Sequence, residues 1–398
     1  MLTNIADRTN VKMQSEFVLR KFVAPEFVFG ENSRFLTGQY AKKLGGRVVL
    51  IVTDRGLIEA GWVEEIKTCL REKGIKFVVF SEVSPNPRAE EVDKGAVIYR
   101  SENCNMLVAV GGGSVIDCAK SIGVTVANAK PIFDFIGVDK IRYPIPPLIC
   151  LPSTTGTGAD LSQVAVLSLV QEHKKVGIVS KAVVPDLSLI DPFIITSIPQ
   201  YHLFCSLMDS LVHAVEAFIS IGSSAITDLH ALDAIKRISN IFDRGLTNSR
   251  QLSVINDMII AGIEAGLAFS NASLGIIHSL SHSFEGLTDV SHGESISIFL
   301  EAGIDFNYDA VPDKYKVIGK CMGLNLDKMD HDETKRAILE KMEAFKKIIG
   351  FDKKLQDYGI KADCIPFLTR NAMKDNCIIT NPRVPTQGDI ENIYEKLF

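Results

Sequence analysis

Between Asp209 and His292 the chain carries a carboxylate and a set of imidazoles whose spacing suits a divalent metal ion. Asp209 and His213 lie in CSLMDSLVHAVEAF, His278 and His282 in GIIHSLSHSF, and His292 in VSHGES. Asp209 and His213 are one helical turn apart, so both project from one face of a predicted helix. The neighbours Leu207, Leu211, Val212 and Val215 are apolar, which predicts a largely buried helix. A buried carboxylate beside an imidazole needs a partner, and a metal ion supplies one. His278 and His282 repeat the four-residue spacing on a second apolar helix, and His292 precedes a glycine that lets a loop turn back. A hydrogen-bonded Asp–His pair with assorted core histidines is the bland alternative for any one of these residues. Four of the eight histidines, His213, His278, His282 and His292, fall within eighty residues, two of them at helical spacing, and jointly favour the ligand reading.

A second group of residues suits phosphate. GGGSVIDCAK starts where the apolar run MLVAV ends and continues into a helical pattern, so Gly111 to Gly113 can present backbone N–H groups at the positive end of a helix dipole. PSTTGTGAD (152–160) follows another apolar run and offers the hydroxyls of Ser153, Thr154, Thr155 and Thr157 in a glycine-permissive loop. Asp54 ends the VVLIVTD run, where a carboxylate can bind an adenosine ribose and repel a 2′-phosphate, favouring NAD over NADP. It can equally cap the helix that follows. The SPNP turn (84–87) follows the next strand, at the sheet edge where a dinucleotide would lie.

The elements that must position these groups fall into two halves. Up to Asp191, β-branched runs (48–54, 77–83, 106–110) alternate with amphipathic helical stretches, the pattern of a parallel sheet covered by helices. Beyond it, apolar residues recur at three- and four-residue spacing, as with Leu203, Leu207, Leu211, Val215 and Phe218. The second half is predicted to be almost entirely helical. At 398 residues the chain exceeds what one core usually organises. PDLSLIDP (185–192) is the boundary candidate, dividing an α/β domain, 1–191, from an all-α domain, 192–398.

Composition narrows the partners. Lys+Arg 43 against Asp+Glu 48 gives a net charge of −5, with no basic run to follow a nucleic-acid backbone or an anionic membrane. The N-terminus lacks an apolar signal-peptide core, and no later stretch approaches the charge-free length of a membrane span, so a cytoplasmic protein is expected. The eight cysteines are scattered singly and read as reduced core thiols.

Together, FVAPEFVFG (22–30), PNP, GGGSVIDCAK, PSTTGTGAD, VPDLSLIDP, D-x-x-x-H, H-x-x-x-H…H-G and TNPR (380–383) resemble the iron-containing, or group III, alcohol dehydrogenases over nearly the whole chain. The resemblance implies a Rossmann-like α/β NAD-binding domain, an all-α domain in a dehydroquinate synthase-like architecture, and an active site between them. It implies metal ligation by Asp209, His213, His278 and His292, with His282 beside the nicotinamide and substrate as the proton relay. For the cofactor it implies Gly112, Gly113 and Ser114 at the pyrophosphate, Asp117 toward the nicotinamide, and Thr154, Thr155 and Thr157 as the threonine loop. Asp54 and Asn86 fall on the adenosine side, and Lys175 in HKKVGIV near the ribose. The implied reaction interconverts a small primary alcohol or diol and its aldehyde, with Fe(II) as the ion and Zn possible, in a homodimer or higher homo-oligomer. The threonine loop reads TTGTGAD where many members have an alanine and a serine-glutamate ending, and CSLMD carries Leu and Met where small residues often precede the aspartate. The chain is also similar to a branch of alcohol dehydrogenase-like regulatory proteins. A regulatory homologue that keeps NAD and metal is therefore one alternative, and a dehydroquinate synthase-like lyase with the same two-domain plan is another, against which His213 in the D-x-x-x-H position speaks.

Overall fold

In the computed structural model, residues 20–246, 249–288 and 290–398 are described. The first half runs β1 (Glu26–Phe29), α1 (Thr37–Lys43), β2 (Val48–Thr53), α2 (Arg55–Glu59), α3 (Trp62–Glu72), β3 (Lys76–Phe80), α4 (Ala89–Ser101), β4 (Met106–Gly111) and α5 (Gly113–Asn128). It continues with β5 (Gly137–Val138), β6 (Leu148–Pro152), β7 (Val164–Leu169), β8 (Lys174–Val179) and β9 (Leu187–Ile190). Six strands form a sheet in the order β1-β9-β6-β4-β2-β3, every pair parallel.

Period-two alternation builds the layers. Leu50, Val52, Leu107, Ala109, Leu148 and Cys150 face one way, into a core with Ile116 and Ala119 of α5 and Val92 of α4. Val49, Ile51, Met106, Val108, Ile149 and Leu151 face the other way, against Ala41 of α1 and Val63, Ile66 and Leu70 of α3. Burial on both faces is why these strands read as unbroken apolar runs. The register brings the ends of β2, β4 and β6 level: Thr53 lies opposite Val110, and Gly111 opposite Pro152. The loops bearing Asp54, the glycines and the threonines therefore leave the sheet side by side.

A smaller sheet, β5-β8-β7, was not expected from the sequence. Its β7 and β8 form an antiparallel hairpin pairing Ser168 with Lys175. The residues of β8 are mostly half-buried and it begins with two lysines, so it lacks the apolar run that marked β2 or β4.

From Pro192 onward, all regular elements among the described residues are helical: α6 (Pro192–Thr196), α7 (Gln200–Ile219), α8 (Ala225–Arg244), α9 (Leu252–Ala272), α10 (Ile276–Glu285), α11 (His292–Tyr308), α12 (Pro312–Cys321), α13 (His331–Ile349), α14 (Ile365–Ala372) and α15 (Gln387–Lys396), besides short 3-10 turns. The expected stripe of α7 is buried, and so are Met208, Val212, Ala214 and Ala217 on its other faces. A helix apolar all round is the centre of a bundle, and α7 packs against α8, α9 and α11. Contrary to the expectation from charge-free length, α7 and α9 are long and apolar enough to cross a membrane. Their apolar windows are 89% and 61% buried within the protein, as befits core helices. All eight cysteines are free thiols, five of them buried.

Candidate metal and nucleotide site

Gly112 is the N-cap of α5 in extended conformation, and Gly113 opens the helix. A Cβ on Gly112 would lie 3.3 Å from the Thr154 methyl, and one on Gly113 2.9 Å from the Thr157 methyl. The glycine bend and the threonine loop are thus in contact, with the Ser153 N–H bonded to the Gly111 carbonyl at 3.1 Å. Ser114 donates to the Pro85 carbonyl and ties the SPNP bend, where Asn86 is half-buried, to the same corner. Asp117, one turn into α5, accepts from the Val166 N–H of β7 at 3.1 Å, and burial pushes its carboxyl up to about 6 against the pull of Lys120. Asp54 caps α2, its Oδ1 accepting from the Leu57 N–H at 3.0 Å.

The threonine loop also reaches the helical half. Gly156 packs so closely on α7 that a Cβ would lie 2.2 Å from the Ser206 carbonyl oxygen, and a Cβ on Gly262 of α9 would lie 1.6 Å from that of Thr155. The Gly156 carbonyl accepts from His213 Nδ1 at 3.1 Å. Thr154 Oγ1 and Thr155 Oγ1 are buried without a hydrogen-bond partner. Thr157 Oγ1 accepts from the Ala159 N–H at 3.3 Å.

Asp209, His213, His278 and His292 each present one donor atom within 4.8 Å of the others. The Nε2 atoms of His213, His292 and His278 lie 3.4, 3.6 and 3.9 Å from Asp209 Oδ1. Two of these separations exceed hydrogen-bond range, and the buried Asp209 Oδ1 and His278 Nε2 have no hydrogen-bond partner. The other nitrogen of every ring is committed. His278 Nδ1 donates to Glu216 Oε2 at 2.6 Å, His292 Nδ1 to Glu285 Oε1 at 2.7 Å, and His213 Nδ1 to the threonine loop. Such bonds select the tautomer with its lone pair on Nε2, aimed at the common centre.

The buried Asp209 carboxylate draws positive charge to that centre, and in the absence of an ion a proton on His278 supplies it, in the place a divalent ion would take. Burial raises the Asp209 carboxyl, but the surrounding histidines outweigh it and hold the group below its ordinary value. Burial also lowers His278, yet proximity to Asp209 and the bond to Glu216 reverse the sign and lift it to about 9. In His213 burial prevails and drives the ring down to about 3. An unpaired buried carboxylate amid lone pairs is costly, so the donor set fits a divalent ion in type, number and direction.

His292 differs from expectation in one respect: it begins α11 instead of standing in a loop. Gly293 serves packing, since a Cβ there would fall 2.2 Å from the Cys205 carbonyl oxygen of α7. His282, on the same helix as His278, gives Nδ1 to Asp375 Oδ2 at 2.9 Å, and its ring stacks on His292 with centroids 5.5 Å apart. Lys175 pairs with Glu285, the side chains only 9% and 0% exposed, whereas its neighbour Lys174 is more open and bonded to Glu172 at 2.5 Å.

Sequence reasoning missed Glu216, Glu285 and Asp375, the carboxylates behind the histidines. Glu216 lies seven residues after Asp209 and Glu285 seven after His278, two turns along the same helix faces, so an acid in an apolar stripe was the available signal. Asp375 caps the short 3-10 turn that follows α14, far along the chain, and no spacing points to it.

Family models match both halves: "Iron-containing alcohol dehydrogenase" over residues 24–192, and "Fe-containing alcohol dehydrogenase family, C-terminal" over 204–398. The chain belongs to the iron-containing alcohol dehydrogenase family, a family of oxidoreductases. It is 33% identical to a 1,3-propanediol dehydrogenase of Citrobacter freundii over 93% of this chain and 96% of that protein. It is 31% identical to an NAD-dependent methanol dehydrogenase of Bacillus methanolicus, over 94% of this chain and 98% of the relative. Among solved structures, a 1,3-propanediol oxidoreductase superposes with a TM-score of 0.91 at 31% identity, covering 96% of this chain and 100% of the other.

Proposed function

We propose that this protein is an NAD(H)-dependent alcohol dehydrogenase that interconverts a small primary alcohol or diol and its aldehyde. The active site lies between an α/β domain, 1–191, and an all-α domain, 192–398. The observation that carries the reading is the convergence of three Nε2 atoms on one buried carboxylate oxygen, joined to the glycine bend by a single threonine loop. The relatives' names support the alcohol, diol and NAD assignments.

Asp209, His213, His278 and His292 would hold the divalent ion, Fe(II) with Zn(II) as the alternative, since a donor set without thiolate accepts either. When bound, the ion supplies Lewis acidity that makes an alcohol proton easier to lose. His282 then takes or returns that proton: Asp375 holds its Nδ1–H, leaving Nε2 as the acceptor. Gly112, Gly113 and Ser114 would receive the pyrophosphate at the N-terminus of α5, with Thr154, Thr155 and Thr157 completing the cradle. Asp117 is assigned to the nicotinamide side, Asp54 and Asn86 to the adenosine side, and Lys175 to the ribose. Free thiols suit a cytoplasmic compartment. The edge of β1, unpaired among the described residues, with Phe27 and Phe29 more than a third exposed, supports a homodimer.

The test is a screen of short alcohols, diols and aldehydes with both nicotinamides after anaerobic loading with Fe(II), Zn(II) or Mn(II). Metal-dependent NADH formation from a primary alcohol or diol is expected. Failure of every loaded form to oxidise or reduce any of them would defeat the proposal.

A further inference from the structure

One side chain in the site is tied across the two halves of the molecule in a way the proposed reaction does not use. Glu285, the last residue of α10, is fully buried and divides its oxygens. Oε1 accepts from His292 Nδ1 at 2.7 Å and from Ser281 Oγ at 2.6 Å, while Oε2 faces the Lys175 ammonium. Ser281 Oγ is also within 2.6 Å of Ser295 Oγ on α11, so the carboxylate is bound to both helices. Lys175 comes from β8 of the α/β half, in register with Ser168 of β7. Two residues before Ser168 on that strand, the Val166 N–H is bonded to Asp117 at 3.1 Å. The hairpin seats closely on the end of α10, where a Cβ on Gly286 would lie 2.1 Å from the His173 carbonyl oxygen.

We propose that Lys175 and Glu285 form a clamp between the α/β half and the helical half that positions His292, making Lys175 a positioning residue for metal binding three groups away from the ion. The inference rests on the reading of Asp209, His213, His278 and His292 as a metal site. A buried carboxylate needs partners on both oxygens, and Glu285 finds them in both halves of the molecule. The ammonium fixes Oε2, the carboxylate so placed holds Oε1 against the His292 N–H, and the anchored ring keeps its Nε2 turned toward Asp209 Oδ1. Outer carboxylates of this kind set both the orientation and the basicity of a ligating imidazole. Without the ammonium, Oε2 loses its tie to the α/β half, and the carboxylate is no longer held in place against the His292 ring.

The experiment measures Co(II) binding to metal-free full-length protein by chelator competition, with the ligand-field absorption band as the signature of the coordination sphere. It compares wild type with Lys175→Met, Glu285→Gln and the double variant. Wild type is expected to bind one Co(II) per chain. Each single substitution weakens binding by about 10- to 100-fold, with a shifted band, and the double costs no more than the larger single because the two residues act in one chain. Lys175→Arg retains the charge and recovers most of the affinity. Circular dichroism checks folding, and if Lys175→Met does not fold, Glu285→Gln alone decides. Single variants within twofold of wild type, or losses that add in the double, would overturn the clamp while leaving the metal site standing. A wild type that binds no Co(II) would remove the metal site itself, and the clamp with it.

Discussion

At Asp209 Oδ1 three imidazole lone pairs approach a carboxylate at distances too long for good hydrogen bonds and too short for indifference. A divalent cation would satisfy all four donors of such a grouping at once. His278 is the most enclosed ring, 0% exposed, so His278→Ala is expected to abolish metal-dependent alcohol oxidation while leaving NADH binding, followed by fluorescence, largely intact. Equal activity in the variant would remove His278 from the ligand set. Asp54 carries a different prediction. Its capping bond uses Oδ1, and Asp54→Gly is expected to raise the NADP-to-NAD ratio of kcat/KM, because the carboxylate that repels a 2′-phosphate is gone. An unchanged ratio would leave Asp54 as a cap alone. Asp117 adds a pH signature. Its folded pKa of about 6 exceeds the ordinary 3.8, so the folded protein keeps a proton that the unfolded chain releases. Its contribution is therefore fully present below 3.8 and lost as pH rises through about 6. Denaturant melts across that window should show Asp117→Asn with a flatter profile than wild type. The convergence of Asp209, His213, His278 and His292 was legible because histidine and aspartate at helical spacing in apolar surroundings have few other uses. Glu216 and Glu285 were not, because a glutamate acquires its meaning only from the ring it faces.

The elements explain why these residues meet. The level ends of β2, β4 and β6 set three loops side by side, and the threonine loop bridges the glycine bend and α7. That bridge depends on close backbone approach at Gly156 and Gly262. Gly262→Ala forces α9 away from the Thr155 carbonyl, and overpacking of this sort costs about 1–3 kcal/mol. Urea unfolding should register that loss, and a raised KM for NAD should accompany it, since the displaced loop touches Gly112 and Gly113. Unaltered stability and KM would mean that the loop does not couple the two sides. The strands of the main sheet and the long helices were legible from period-two and three-to-four patterns. The β7–β8 hairpin was not: β8 is half-buried, opens with lysines, and takes its form from pairing with β7 and seating against Gly286. The helical start at His292 was hidden for a similar reason, because Gly293 is there for contact with Cys205 and not for a turn.

Across the whole molecule, two halves of unlike architecture deliver their groups to one point. The parallel sheet carries the proposed nucleotide residues and the helical half carries the four donors. Where they join, His213 is held by a carbonyl of the α/β half and His292 by a glutamate that faces a lysine from it. Overall two-part organisation was legible from the change of pattern after Asp191, whereas the cross-bonds between the parts were not, being contacts between residues more than fifty positions apart. A competing donor group exists nearby, His282 with Asp375 and Cys377. The decisive measurement is an anomalous difference map from crystals of the Fe(II)- or Zn(II)-loaded protein, recorded at the absorption edge of the ion. A single peak is expected at about 2.0–2.2 Å from an Asp209 oxygen and from the Nε2 atoms of His213, His278 and His292. A peak on His282, Asp375 and Cys377 instead, or no peak at Asp209, would contradict the account.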